Sequence, residues 1–199
     1  MDLDDAIRRR RMCRNFSDQP LEPAVVDRLI DRARRAPSAG HTQGWAFLVL
    51  EGRSQVDRFW AADADAAWLA SPTLPGLLSA PAIVVPLASE AAYRSRYGEA
   101  DKTPAGPAGG WSADYWTVDV SFATMLLLLG AVAEGLGALF FGLRPGAADR
   151  LRAEFGVPPE WDPIGAVAVG WPAPDPGPAG SPTRRPRRTL DEVLHRGGW

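Results

Sequence analysis

The chain has 199 residues, 46% of them hydrophobic, with 22 Lys+Arg against 24 Asp+Glu and a formal net charge of −2. This suits one domain with its own core, and the near-neutral balance argues against general nucleic-acid coating. One cysteine (Cys13) and two distant histidines (His41, His195) exclude a disulfide framework and a CxxC zinc site, and argue against any metal centre.

"MDLDDAIRRRR" predicts a helix. Asp2 can cap it, Asp4 and Asp5 suit its first turn and arginines its last, while Leu3 and Ile7 share a face. "LEPAVVDRLIDRARRAP" predicts a second, with Pro23 in the first turn, an apolar stripe of Val26, Leu29, Ile30 and Ala33, and Pro37 past its end. "WAFLVLEG" reads as a strand, "SQVDRFWAADADAAWL" as a helix broken by "SPTLPG", and "APAIVVPLAS" as a buried strand. Residues 98–110 lack a hydrophobic pattern and are expected to form a mobile loop over a site.

"DYWTVDVSFATMLLLLGAVAEGLG" predicts a long helix stopped by Gly135 and Gly137. It is apolar nearly all round, as a central, buried helix would be. "ALFFGLRPG" reads as strand and turn, "AADRLRAEFG" as a short helix ended by Gly156, and "IGAVAVGWP" as a third clear strand. The Pro/Gly-rich stretch that follows is expected to be an extended arm, closed by a short helix or strand in "TLDEVLHRGGW". Residues 1–172 would be the domain and 173–199 the arm. Strands alternating with helices indicate layered α/β or α+β architecture. The charged opening does not resemble a signal peptide, and the longest apolar run, "FATMLLLLGAVA", looks too short for a bilayer. A soluble cytoplasmic protein is expected. The eight tryptophans fill a core, line an aromatic surface or serve a dimer interface.

Four segments could carry chemistry. "RRRRMCRNF", residues 8–16, holds five arginines. These either satisfy a helix end or bind phosphate through bidentate guanidinium forks. "APSAGHTQGW", residues 36–45, is either an ordinary helix–strand loop or a turn offering Ser38, His41, Thr42, Gln43 and backbone amides to a planar polar ligand. In "FFGLRPG", Gly142 allows close backbone approach, and Arg144 can reach solvent or an anion. In the tail, Arg184, Arg185, Arg187 and Arg188 form a solvated arm, touch nucleic acid, or return to the anion of Arg10 and Arg14. No Ser-His-Asp or Cys-His arrangement, P-loop or GxGxxG is legible. An anion-binding protein without a side-chain nucleophile often leaves the chemistry to a cofactor.

In order, these segments resemble the nitroreductase family of flavoproteins. "RRMCRNF" is similar to the family's R-R-S-x-R-x-F, and "APSAGHTQGW" to A-P-S-x-x-N-x-Q-P-W. "DVSFATMLLLLGAVAEGLG" is similar to D-x-x-x-A-x-x-x-L-L-L-A-A-x-x-x-G-L-G. "VAVGWP" and "RRTLDEVLHRGGW" resemble its G-x-P strand and basic tail. The resemblance covers nearly the whole chain. It implies an α+β, three-layer α/β/α fold with a central mixed, mainly antiparallel sheet, and a homodimer that exchanges C-terminal arms. It implies FMN at the interface and NAD(P)H as electron donor. A nitroaromatic, quinone or similar small aromatic would accept the electrons in a ping-pong cycle, with flavin rather than a side chain carrying the chemistry. No nucleic acid, membrane or metal would be involved.

The resemblance also implies roles for particular residues. Arg10, Arg11 and Arg14 take the phosphate side, with Met12 where the family has serine. Pro37, Ser38 and Ala39 form the turn that packs on the partner's flavin. His41 stands at an asparagine position, Gln43 matches a glutamine, and Gly44 replaces a proline. The Gly142 amide faces the hydride-accepting nitrogen, after Phe141 where some members carry glutamate. Arg185 or Arg187 is the second phosphate cation. Trp111, Tyr115 and Trp116 are expected to line a wide acceptor pocket. A flavin-sequestering protein, a flavin-degrading relative and a deazaflavin-maturation relative are the alternatives.

Overall fold

The computed structural model describes residues 1–70, 72–102, 111–174 and 185–199. Its strands are β1 (Trp45–Glu51), β2 (Ala82–Ala88), β3 (Gly137–Phe141), β4 (Asp162–Pro163) and β5 (Ala166–Gly170). They form one sheet in the order β1-β2-β5-β3, with β4 beside the far end of β2. Every ladder is antiparallel; the parallel pairing is an isolated bridge between Met12 and Ala138. Pro86 lies in central β2 at the break where pairing passes from β5 to β4. A residue without an amide donor is tolerated at such an interruption.

Helices α1 (Leu3–Arg9), α2 (Pro23–Ala33), α3 (Gly52–Asp63), α4 (Ala66–Ala70), α5 (Glu90–Tyr97), α6 (Tyr115–Ala133) and α7 (Ala147–Phe155) complete the described chain. The side chains of β2 alternate between two cores. Val84 and Ala88 join a cluster with α2 and α6. Ile83, Val85 and Leu87 join one with α3 and α7. Val167 and Val169 of β5 face the first, Ala166 and Ala168 the second. The period-two alternation therefore builds helices on both faces of the sheet, the expected three layers.

Several expectations need correction. The helix expected across "SQVDRFWAADADAAWL" divides, because Ala64 is extended (φ −113°, ψ 153°). Its neighbour Asp63 is drawn into the core by Arg144, and Asp65 caps α4 by accepting from the Trp68 amide at 2.8 Å. Helix α5 and strand β4 escaped the sequence reading. Leu3 and Ile7, expected to share a face of α1, are 66% and 54% exposed. Helix α6 is buried on one face only: Val120, Ala123, Leu127 and Ala131 have no exposed surface, yet Phe122 and Met125 are 48% and 46% exposed. At 19 residues and a mean hydropathy of 1.7, α6 is long and apolar enough to cross a bilayer, against the length argument above. Its buried face packs against α2 and the sheet instead. "TLDEVLHRGGW" forms turns, with Glu192 accepting from the Thr189 amide at 2.6 Å, and no helix or strand. The start of the arm is tied to Asn15, whose carbonyl accepts from the Ala173 amide at 3.0 Å and whose side chain donates to the Pro174 carbonyl at 2.5 Å. Arg184 and residues 103–110 of the expected loop lie outside the described residues.

Candidate functional site

The opening segment leaves α1 and runs beside β3. Asp2 accepts from the Asp5 amide at 2.7 Å, fulfilling its expected capping role. The Cys13 amide donates to the Ala138 carbonyl at 3.0 Å. A side chain at Gly137 would meet the Cys13 sulfur at 2.7 Å, so glycine lets the segment seat against the strand. Met12 packs against both cores, so the serine position of the family pattern is filled by an apolar side chain.

Arginines elsewhere in the domain are mostly matched to carboxylates: Arg28 and Arg32 to Glu134, Arg58 to Glu154, Arg152 to Asp149 and Asp162. Arg8 pairs with Asp5, as a helix-end charge would. Among the described residues, Arg10, Arg11 and Arg14 pair with no carboxylate. Arg14 donates to the Met12 carbonyl at 3.2 Å. Nη1 of Arg10 is buried and has no hydrogen-bond partner. A buried donor without an acceptor is costly, and one in a segment with two more arginines that pair with no carboxylate fits an anion.

Strand β3 leads from this corner to Phe141 and Gly142. The Phe141 ring stacks on Trp60 at 5.4 Å and meets Phe59 edge-on at 6.1 Å, so its side chain serves the core. Gly142 is exposed, and a Cβ there would meet nothing within 4 Å; a flat ligand has room against its backbone. Beyond it, Arg144 meets an internal anion rather than a ligand. The buried Asp63 accepts from the Arg144 amide at 3.0 Å and pairs with its guanidinium, which also lies 3.9 Å over the Trp68 ring.

The second grouping is built on the turn from Pro37 to Gly44. Gly40, His41 and Gln43 have φ of 63°, 55° and 52°. Left-handed backbone is unusual outside glycine, but asparagine and histidine tolerate it best. The backbone thus accounts for His41 at an asparagine position. Ser38 Oγ accepts from the Gln43 amide at 2.9 Å. Asp119 of α6, 3% exposed, accepts from both the Ala39 amide (2.7 Å) and the Tyr93 hydroxyl (2.6 Å) on one oxygen. Burial, and then the Asp119 carboxylate, raise the Tyr93 hydroxyl well above the usual phenol range, so it remains a donor. A Cβ on Gly44 would lie 2.5 Å from the Tyr93 ring, which excludes the family's proline here.

Tyr93 also meets Trp111 and Trp116 edge-on, at 6.2 and 6.4 Å. Trp111 in turn touches Tyr97 (4.5 Å) and Tyr115 (5.7 Å). The expected acceptor-pocket residues therefore form one aromatic wall beside the turn. Arg96 donates to the Gly40 carbonyl at 3.0 Å and pairs with Asp101 at 2.6 Å. That hydrogen bond with Arg96 holds the Asp101 carboxyl down at about 2. Arg185 and Arg187 are exposed. Sequence reasoning missed Asp63, Tyr93 and Arg96, and gave Asp119 no role. A lone carboxylate on the apolar α6 pattern was the available signal.

The sequence profile of the Nitroreductase family matches residues 7–171. A relative from Methanothermobacter thermautotrophicus, provisionally named an NADH dehydrogenase/NAD(P)H nitroreductase, is 25% identical over 179 residues, covering 89% of this chain and 81% of its own. Among solved structures, a nitroreductase family protein from Clostridium difficile 630 superposes with a TM-score of 0.73 at 22% identity, covering all of both chains. An FMN-dependent nitroreductase from Clostridium difficile R20291 gives 0.71 at 18% identity, covering 99% of this chain and all of that one. With helices on both faces of its antiparallel sheet and the family profile spanning nearly the whole domain, this chain belongs to the nitroreductase family.

Proposed function

We propose that the protein is an FMN-dependent oxidoreductase that uses NAD(P)H to reduce a nitroaromatic, quinone or similar conjugated acceptor, and that it works as a homodimer. The buried, unpartnered Nη1 of Arg10 carries this reading. Arg10, Arg11 and Arg14 would hold the FMN phosphate, joined by Arg185 or Arg187 of an exchanged arm. Pro37, Ser38, Ala39, His41 and Gln43 would bind flavin from the partner's side. Gly142 would present its backbone amide to the ring. The residues fit the group, for the arginines lack a counter-charge and the Gly142 backbone is open. FMN, when bound, supplies a reversible hydride acceptor. The protein's own part is to bind, orient and keep water out: the arginine corner anchors charge, and the Trp111–Tyr115–Trp116 wall stacks a planar substrate.

Within one chain the arginine segment lies beside β3, which leads to Gly142, while the turn shares Tyr93 with the aromatic wall. Two copies would set these groupings across one flavin. Absorption spectra of the purified protein test the proposal. A flavin spectrum that bleaches with NADH or NADPH, with steady-state turnover on menadione or a nitroaromatic, is expected. A colourless protein that FMN cannot reconstitute would refute it. The apolar Met12 at a serine position motivates a non-catalytic flavin carrier as second reading. That reading predicts bound FMN with no turnover above free FMN.

A further inference from the structure

We infer that Asp119 and Tyr93 are positioning residues that hold the turn 37–44 in a flavin-competent shape and tie it to the acceptor wall. The inference rests on the functional reading above for its ligand, but its geometry stands alone. The turn carries two non-glycine residues in left-handed conformation, His41 and Gln43. Such backbone persists only where its surroundings over-determine it. Here four side chains do so: Asp119 accepts from the Ala39 amide, Arg96 donates to the Gly40 carbonyl, Ser38 accepts from the Gln43 amide, and the Thr42 hydroxyl donates to the Ala39 carbonyl.

Asp119 is the buried member of this set and can accept from Ala39 only while its carboxylate is fixed. Tyr93 fixes it, donating at 2.6 Å to the same oxygen. The Tyr93 ring fills the space against Gly44 and meets Trp111 and Trp116. One side chain therefore touches the turn, the carboxylate that holds it and the wall beside it. Neither residue reaches reacting atoms; both act through the turn.

Tyr93→Phe keeps the ring and removes the hydroxyl, and Asp119→Asn keeps the shape and removes the charge. Amide hydrogen exchange of the apo-protein reads the turn directly. Both variants should exchange at least tenfold faster at Ala39, a rise larger than the general one that a lowered melting temperature brings to α5 and α6. In FMN titrations both should bind about tenfold more weakly, as expected where about one apo molecule in ten keeps the competent turn. The inference is overturned if Ala39 exchange is unchanged in Tyr93→Phe. It is also overturned if exchange quickens equally across α5 and α6, which marks general destabilisation. Failure of wild-type protein to bind FMN would instead refute the functional reading, leaving the exchange result to decide the geometry.

Discussion

Replacing Arg10 by methionine should move stability and flavin affinity in opposite directions. Methionine keeps an unbranched apolar stem and discards the guanidinium, whose Nη1 is buried without an acceptor. An unsatisfied buried donor costs about 1–3 kcal/mol. Arg10 is only partly buried, so the low end applies. Relief of about 1 kcal/mol should raise the apo-protein's melting temperature by about 2–4 °C at this chain length. A charge-assisted hydrogen bond to phosphate is worth about 1.5–3 kcal/mol, so FMN should bind about 10- to 150-fold more weakly. Arg8→Met is the control. Arg8 pairs with Asp5 in solvent, its side chain 66% exposed, and its loss should change either quantity little. Differential scanning fluorimetry of apo-protein and flavin-fluorescence titration measure the two effects. An Arg10→Met protein that melts lower and binds FMN as tightly as wild type would refute the reasoning, because Arg10 would then be structural.

Four further outcomes are expected. Asp63→Ala strands Arg144 beside the core and should cost about 3 kcal/mol, the lower end for a broken buried pair. That amounts to about 6–12 °C in a thermal melt, and Asp63→Ala/Arg144→Ala should recover part of it. Burial, with a smaller contribution from Asp27, raises the Glu51 carboxyl above its ordinary value. The fold therefore disfavours ionised Glu51, a penalty present above the raised value and absent once pH falls below the unfolded value near 4.5. Glu51→Gln should accordingly melt higher than wild type at pH 7 and alike at pH 4. Gly44→Ala, whose Cβ would sit 2.5 Å from the Tyr93 ring, should cost about 1–3 kcal/mol in denaturant titrations. Gly142→Ala, with nothing within 4 Å, should leave stability within about 0.5 kcal/mol and weaken FMN binding.

The main elements were legible because local chemistry dictates them. The apolar runs of β1, β2 and β5 fall between breakers, Asp2 caps α1, and Gly135 ends α6 at φ 75°. Part of what escaped depends on distant partners. The break between α3 and α4 follows from Arg144, far along the chain from Asp63. Helix α5 carries little apolar pattern. Its signals are the Ser89 cap, accepting from the Ala92 amide at 3.2 Å, and the Glu90–Arg94 pair. In the candidate site, the arginines and the turn were visible as motifs, and the aromatic wall as three residues beside a loop. The struts Asp119 and Tyr93 were not, since a carboxylate in an apolar helix shows its purpose only when the amide it receives is in place.

Helix α6 links the fold to the candidate site. Its sequence is apolar all round, which describes a helix buried on every side. One chain buries half of it. The inner face meets α2 and the sheet and sends Asp119 to the turn, while Phe122 and Met125 remain open. Leu3 and Ile7 on α1, and Leu190, Val193, Leu194 and Trp199 in the arm, are open too. The open apolar face of α6 is a candidate interaction surface. We propose that the second copy covers these residues, which would account for the open apolar face of α6 and the exposed pair Leu3 and Ile7 on α1. The same contact gives the site its logic. In the proposed dimer, the arginine segment with its surplus donor and the turn held by buried struts would each be half of a binding site, and an interface that buries the outer face of α6 would bring two halves from two chains together.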